Sequence, residues 1–156
     1  MRLVIVAVGQ RQPAWAREAF ADYAKRFPGE CRLDLVEVKA EPRDAGKTPA
    51  QLMAVEAARL LAAAPKRARR VALDERGTRR TTAELTGQLR AWREDGRDVV
   101  LWIGGPDGLD PTLRSSADDI LRLSDLTLPH AMARVLLAEA LYRAWSVLAG
   151  HPYHRD

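Results

Sequence analysis

The chain contains one cysteine, Cys31, among 156 residues, and aromatic side chains make up only 6% of it. A single cysteine excludes a framework of internal disulfides and is typical of a reducing compartment. No apolar run reaches the roughly 20 residues that cross a membrane, and no small-residue cleavage site follows the opening run "RLVIVAV". We therefore expect a cytoplasmic protein without a membrane partner.

Positive charge is in small excess: 25 Lys and Arg residues stand against 21 Asp and Glu residues, which gives a net charge of +4. Arginine supplies nearly all of the positive charge, and its planar guanidinium binds phosphate more specifically than lysine does. This balance fits a polyanionic partner, but biased codon usage explains it equally well. The length and the 47% hydrophobic content favour one globular domain over residues 1–156.

Apolar runs rich in β-branched residues alternate with amphipathic stretches along the chain. The runs "RLVIVAV", "RVALDERG" and "DVVLWIGG" predict buried strands, and "PHAMARVLLAEALYRAWSVLAG" predicts a long last helix from Pro129 to Gly150. Strands that alternate with helices indicate an α/β fold, with a mostly parallel sheet flanked by helices. The polar segment "EPRDAGKTP" (41–49) is interpreted as a mobile, solvated loop, and its contact with RNA stays open.

A glycine-rich segment, "IGGPDG" (103–108), follows one of the predicted buried strands. Glycines at the carboxyl end of a parallel strand let a ligand approach the backbone, and open α/β sheets bind ligands at that edge. The spacing is not GxGxxG and no lysine follows, so neither a dinucleotide fingerprint nor a P-loop is indicated. A tight turn without a ligand remains the alternative.

The segment "LSDLTLPHAMAR" (123–134) mixes small polar side chains with leucines. In such a loop the polar side chains can hydrogen-bond the edge of an adenine ring while the leucines pack on its face. The same residues are also typical of a loop and helix cap without a ligand. His130 and Arg134 lie one helical turn apart on the same face. A lone histidine there is more often structural, but the neighbouring arginine favours an anionic ligand.

The tail "HPYHRD" holds two of the three histidines. Tyrosine and histidine rings stack on unpaired bases and arginine reaches phosphate, so the tail suits contact with RNA. The carboxylates are not clustered and the cysteine lies far off, so we expect no metal site. The motifs GxSxG and HExxH are absent, and Asp74 and Glu75 of "LDERG" are expected on opposite faces of a strand, a poor acid–base pair.

The segments "AVG", "LDERG", "IGGPDG", "LSDLTLPHAMARVLLAEALYRAW" and "HPYH" together resemble the RlmH family of SPOUT methyltransferases. The resemblance spans essentially the whole chain. It implies a single-domain SPOUT fold with a deep C-terminal trefoil knot, which no periodicity can reveal. It also implies S-adenosylmethionine-dependent methylation of N3 of a pseudouridine in 23S rRNA of the assembled ribosome, by a homodimer whose C-terminal tail helps complete the site.

The resemblance further implies roles for individual residues. The S-adenosylmethionine pocket would be lined by Leu73, Gly104, Gly105, Gly108, Leu123, Ser124, Asp125, Leu126, Thr127 and Leu128. Candidates for RNA positioning or proton handling are His130, Arg134, Arg143, Tyr153 and His154, and none is singled out as a general base.

Three alternatives remain open at this point. The chain resembles a SPOUT enzyme that would act on 23S rRNA, but another RNA such as tRNA is the alternative substrate. A non-catalytic ribosome- or RNA-binding module is the alternative from another class. The arginines of "LDERGTRRTT" indicate either RNA contacts or a solvated turn.

Overall fold

A computed structural model describes residues 1–44 and 46–155. Within these residues, one sheet contains strands β1 (Arg2–Val8), β2 (Arg32–Val38), β3 (Arg69–Arg79), β4 (Val99–Ile103) and β5 (Asp119–Arg122). The helices are α1 (Ala14–Ala24), α2 (Pro49–Ala63), α3 (Thr82–Asp95), α4 (Pro111–Ser115) and α5 (His130–Ala149). No helix in the described ranges is long and apolar enough to cross a membrane.

The described strands pair in parallel, in the order β2-β1-β4-β3-β5. Strand β1 lies between β2 and β4, and its residues from Leu3 to Val8 are at most 3% exposed. A parallel strand that is covered on both faces has to be apolar at every position, which explains the unbroken run in the sequence. The α/β fold predicted from the sequence is confirmed, and the trefoil knot stays a prediction.

Alternate residues of the central strands enter opposite apolar cores. Leu3, Ile5 and Leu101 pack in the core formed with helices α1, α3 and α5. Val4, Val6 and Trp102 pack in the core formed with α2 and α4. The period of two along each strand therefore divides the side chains between the two faces of the sheet.

Strand β3 carries a bulge that shapes the carboxyl end of the sheet. Leu73 and Thr78 both lie opposite Leu121, so residues 74–77 leave the regular ladder. A Cβ on Gly77 would lie 2.6 Å from the carbonyl carbon of Leu121, so glycine is required where the bulge rejoins β5.

The charged loop before α2 is held by ion pairs. The carboxylate of Glu41 lies 2.6 Å from Lys47 Nζ and 2.7 Å from an Arg59 nitrogen, and Arg43 reaches Glu56 on α2. Apart from Glu41, which is half-buried, the described residues of this loop are exposed, as the prediction of a solvated loop requires. Its mobility and its contact with RNA stay predictions. Ala45, within the same loop, lies outside the described residues.

Candidate functional site

A cavity of about 890 Å³ opens at the carboxyl ends of β3, β4 and β5. Three segments build most of its wall: the bulge (73–76), the glycine segment (103–109) and the loop after β5 (122–128). Open parallel sheets bind ligands at this edge, and the volume is typical of a site for a small organic molecule. We call this space the sheet-end cavity.

The sheet-end cavity brings together residues that the sequence singled out in three separate segments. The predicted cofactor-binding residues in its wall are Leu73, Gly104, Gly105, Gly108, Leu123, Ser124, Asp125, Leu126, Thr127 and Leu128. His130, at the start of α5, also lines it. The grouping is a property of the fold, and the ligand that these residues bind stays a prediction.

Some residues of the cavity wall carry no signal in the sequence, including Met53, Pro111 and Arg114. Asp74 and Glu75 were set aside because neighbouring strand residues normally face opposite sides of a sheet. That expectation is wrong here, because the bulge takes both residues out of the ladder and both line the cavity. Gly77, two positions after Glu75, is the feature of the sequence that indicates the bulge, because a glycine inside a strand often marks one.

The glycine segment is a tight turn as well as a cavity wall. A Cβ on Gly104 would lie 2.5 Å from the carbonyl carbon of Gly108, and one on Gly105 would lie 3.0 Å from Glu56 Oε1. Real Cβ atoms do not approach a backbone carbon so closely, so Gly104 is required by the crossing of two backbone segments. Both readings of "IGGPDG", the tight turn and the site wall, therefore apply to the same residues.

Glu56 of α2 packs against the glycine segment at Gly105. Its side chain is 2% exposed, and its carboxylate accepts hydrogen bonds from Arg43 Nη1 at 2.6 Å and from the Glu41 backbone N–H at 3.1 Å. Arg43 also donates to Asp107 of the cavity wall at 3.2 Å. The hydrogen bond with Glu56 raises the pKa of Arg43, so this guanidinium stays charged. The network ties the charged loop, α2 and the glycine segment together.

Arg134 is buried where α5 meets the carboxyl ends of β1 and β2. Its side chain donates to His130 Nε2 at 3.1 Å, to Glu37 at 2.5 Å, and to the carbonyls of Val8 at 3.1 Å and Gly9 at 2.7 Å. Four of the five N–H groups of a guanidinium are thereby used inside the protein. A direct contact with RNA phosphate would require these bonds to break, so the geometry favours a positioning role for Arg134.

His130 is held in its neutral form. Burial lowers its pKa, and the charge of Arg134 lowers it further, against the effect of a hydrogen bond with the Gly104 backbone. Its Nε2 already accepts the hydrogen bond from Arg134 Nε. The ring is therefore poorly placed to take a proton from a substrate, and it fixes the glycine segment relative to α5.

Arg143 of α5 lies beside Tyr153 and His154 of the segment that follows the helix, and we call these three residues the tail cluster. The Tyr153 hydroxyl donates to Glu139 Oε1 at 3.1 Å, and Arg143 donates to the same oxygen. The Arg143 guanidinium lies 5.1 Å from the centre of the Tyr153 ring, and His154 Nδ1 lies 3.3 Å from Ser146 Oγ. The described tail is therefore packed against the helix, and Asp156 lies outside the described residues.

The tail cluster does not belong to the sheet-end cavity of the same chain. Among the described residues, the cavity wall includes His130 but neither Arg143 nor Tyr153. Glu139, which anchors the cluster, follows His130 by nine residues, or two and a half helical turns, and so faces the opposite side of α5. The predicted functional residues thus fall into two groups that one chain keeps apart.

In residues 1–44 and 46–155, no three His, Cys, Asp or Glu side chains are grouped to hold a metal ion. His151 and His154 instead make contacts within the protein. His151 Nδ1 accepts a hydrogen bond from the Tyr153 backbone N–H at 3.2 Å, and His154 lies against Ser146.

The chain has close relatives over its whole length. Proteins named "Ribosomal RNA large subunit methyltransferase H" are 65% identical in Methylibium petroleiphilum and 62% identical in Leptothrix cholodnii, each covering all of both chains. The protein of that name in Bordetella petrii is 60% identical and covers 99% of both chains.

Solved structures with low sequence identity share the fold. One, described as "Structural insights into the 2-OH methylation of C/U34 on tRNA", has a TM-score of 0.53 at 18% identity and covers 96% of this chain and 97% of that one. The crystal structure of TrmJ from Z. mobilis has a TM-score of 0.51 at 18% identity, covering 100% and 72%. Residues 1–154 match the family model described as "Predicted SPOUT methyltransferase". The chain therefore belongs to the SPOUT methyltransferase family, as its motifs predicted.

Proposed function

We propose that this chain is an S-adenosylmethionine-dependent methyltransferase of large-subunit ribosomal RNA, acting on N3 of a pseudouridine in 23S rRNA of the assembled ribosome. The observation that carries the proposal is the sheet-end cavity, whose wall contains every residue predicted to bind the cofactor. Full-length relatives at 60–65% identity are named as large-subunit rRNA methyltransferases, which supports the substrate class.

The residues of the sheet-end cavity fit S-adenosylmethionine. Leu73, Leu123 and Leu128 offer apolar surface for an adenine ring, and Asp107 and Asp125 offer carboxylates for a cationic ligand. Arg114, paired with Asp74 at 3.2 Å, supplies positive charge for a ligand carboxylate. The wall thus pairs apolar surface with charges of both signs, as this cofactor does.

Catalysis by this chain consists mainly of positioning. When bound, the cofactor supplies a methyl group on a sulfonium, which is already an activated leaving group. Arg134 and His130 fix the ends of β1, β2 and the glycine segment, so the cavity wall is preorganised. The methyl acceptor, an imide nitrogen, has to lose its proton, and a cation near it would stabilise the anion.

The tail cluster supplies groups suited to that second task. Burial raises the pKa of Tyr153, and its hydrogen bond with Tyr23 raises it further, so the phenol stays protonated and acts as a hydrogen-bond donor. Arg143 supplies a permanent positive charge. In this proposal Arg143, Tyr153 and His154 bind the RNA and stabilise charge in the site.

In a homodimer the sheet-end cavity of one copy and the tail cluster of the other would form one site. One chain holds the tail cluster on the far side of α5 from the cavity, so in this proposal a second copy presents its own tail to that cavity. Helices α1 and α5 expose Trp15 and Leu136, apolar side chains that an interface between copies would cover. The SPOUT resemblance implies the same arrangement.

The function is tested by deleting the gene and analysing the rRNA. We expect 23S rRNA from the deletion strain to lack a methylated pseudouridine that the parent strain contains, as measured by mass spectrometry. The purified protein should restore it on ribosomes from that strain when S-adenosylmethionine is added. Unchanged rRNA in the deletion strain, or methylation found only on tRNA, would refute the proposed substrate. Calorimetry without binding at millimolar cofactor would favour a non-catalytic binding module.

Substituting Gly104 by alanine is expected to weaken S-adenosylmethionine binding by about 10- to 100-fold. The added Cβ would sit 2.5 Å from Gly108, and relief of such a clash costs about 1–3 kcal/mol in a packed region. Calorimetry measures the affinity, and circular dichroism verifies the fold. The matched control is Gly87→Ala on α3, where an added Cβ meets nothing within 4 Å. Wild-type affinity in Gly104→Ala would contradict the placement of the cofactor.

A further inference from the structure

A smaller pocket of about 290 Å³ lies beside the sheet-end cavity. It is lined by Arg79, Arg80, Thr81, Arg122, Leu123, Ser124 and Asp125, and we call it the arginine pocket. The last four of these residues also line the sheet-end cavity, so the two spaces adjoin. Three guanidinium groups thus surround a small space that contains one carboxylate.

Two of these arginines are direct neighbours in the sheet. Arg79 of β3 and Arg122 of β5 are register partners, so their side chains leave the sheet on the same face. Like charges in that relation repel unless an anion lies between them. The Asp125 carboxylate takes that place, with one oxygen 3.1 Å from Arg79 Nη2 and the other 3.3 Å from Arg122 Nη1.

This internal anion is easily displaced. The side chains of Arg79 and Asp125 are 71% and 56% exposed. An ion pair with this much exposure to water stabilises a protein by only about 0–1 kcal/mol.

We propose that the arginine pocket binds a backbone phosphate of the RNA substrate, which replaces the Asp125 carboxylate between Arg79 and Arg122. This inference rests on the proposed function, since it takes the ligand to be RNA. A phosphodiester presents two charged oxygens to two guanidinium groups, as the carboxylate does, and guanidinium groups bind phosphate with particular geometric preference. The displaced carboxylate remains in the wall of the sheet-end cavity, so RNA binding changes the charge available there.

Arg79 allows the clearest test, because it lines the arginine pocket and is not part of the sheet-end cavity wall. In Arg79→Ala we expect the KM for ribosomes from the deletion strain to rise about tenfold, since a hydrogen bond to a charged group is lost. The slope of log affinity against log salt should fall by about 0.7–0.9, the value for one phosphate contact. The kcat and the affinity for S-adenosylmethionine should not change.

Two comparisons separate this role from a general effect of charge. Arg79→Lys should recover part of the loss, and Arg90→Ala, at an exposed position on α3, should leave the KM within about twofold. At saturating cofactor, Asp125→Asn should lower the KM for ribosomes in the wild-type background but not with Arg79→Ala. An equal gain in both backgrounds would mean that Asp125 does not compete for Arg79.

The outcomes also separate this inference from the proposed function. If the wild-type protein neither binds S-adenosylmethionine nor methylates ribosomes, the proposed function fails. If the wild-type protein is active and Arg79→Ala keeps its KM and its salt dependence, the function stands and the phosphate site is wrong.

Discussion

A mixture of two inactive variants is expected to regain about a quarter of the wild-type methyl-transfer activity. One variant, Gly104→Ala, has a disabled cavity, and the other, Tyr153→Ala with His154→Ala, has a disabled tail. With S-adenosylmethionine well below its dissociation constant, each alone should retain at most a few per cent of activity. The cavity variant binds the cofactor about 10- to 100-fold more weakly, and in the tail variant misplacement of a reacting group by 1 Å costs about 100-fold. In a co-expressed mixture about half of the dimers hold one chain of each kind, and one of their two sites joins an intact cavity to an intact tail.

The physical reason for this recovery is the geometry of α5. Glu139 anchors Tyr153 on the face of the helix opposite to His130, so one chain keeps the two halves apart, and in the proposed homodimer they meet between chains. If one chain formed the whole site, no dimer in the mixture would have an intact site and activity would stay at a few per cent. Methyl transfer to ribosomes measures the recovery, and co-expression of Gly104→Ala with the wild-type chain, expected to give about half activity, controls for assembly.

The tail variant needs a control for stability. The Tyr153 ring packs edge-on against Tyr142, with centroids 4.7 Å apart, and part of its surface is buried. Tyr153→Phe keeps this packing and removes the hydroxyl that contacts Glu139 and Tyr23. A variant of Tyr153→Phe with His154→Ala that remains folded but inactive would assign the loss to function. Full activity in that variant would remove the Tyr153 hydroxyl and the His154 imidazole from the proposed mechanism.

Replacing Arg43 by alanine is expected to lower the free energy of unfolding by about 3–5 kcal/mol, the cost of leaving a buried charge without its partner. The substitution removes the two hydrogen bonds that Glu56, 2% exposed, accepts from the guanidinium. In a chain of this length the melting temperature should fall by about 10 °C. The affinity for S-adenosylmethionine should fall as well, because Asp107 of the cavity wall loses its contact with Arg43.

Urea denaturation and calorimetry measure these two effects. The double variant Arg43→Ala with Glu56→Gln should recover most of the stability, since no charge then remains buried. Arg59→Ala is the matched control, because Arg59 pairs with Glu41 near the surface of the same loop and is worth about 1 kcal/mol or less. Equal stabilities of Arg43→Ala and Arg59→Ala would show that Glu56 does not need its partner.

The elements of the fold were predictable because their signals are local. Thr48 and Thr81 each form a capping box with the residue three positions on, and these signals lie within one helical turn. The run of β1 is apolar at every position because the strand is covered on both faces. The order of the strands could be established only from the structure, since nothing in the sequence of β1 specifies that β4 is its neighbour.

Glu56 shows what a local pattern cannot predict. In "AQLMAVEAARLLAA" a glutamate reads as part of the solvated face of a helix. Its burial depends on Arg43, 13 residues earlier, and on Gly105, 49 residues later, whose missing Cβ leaves room for the carboxylate. Arg134 is a similar case, since two of its acceptors are carbonyls at the end of β1. Sequence spacing placed it beside His130 and gave no sign of these partners.

The central position of β1 in the sheet determines the order in which the strands can pair during folding. Leu3 pairs with Leu33 on one side and with Val99 on the other, so β1 has an open edge until β4 has been synthesised. Pairings between such distant residues form slowly, because a long loop has to close before any contact stabilises it. The glycine segment follows β4 directly, so the cavity wall forms only after the centre of the sheet has closed. During translation β1 and β2 therefore stay without their central partner, exposed to chaperones and proteases, until Val99–Ile103 have been made.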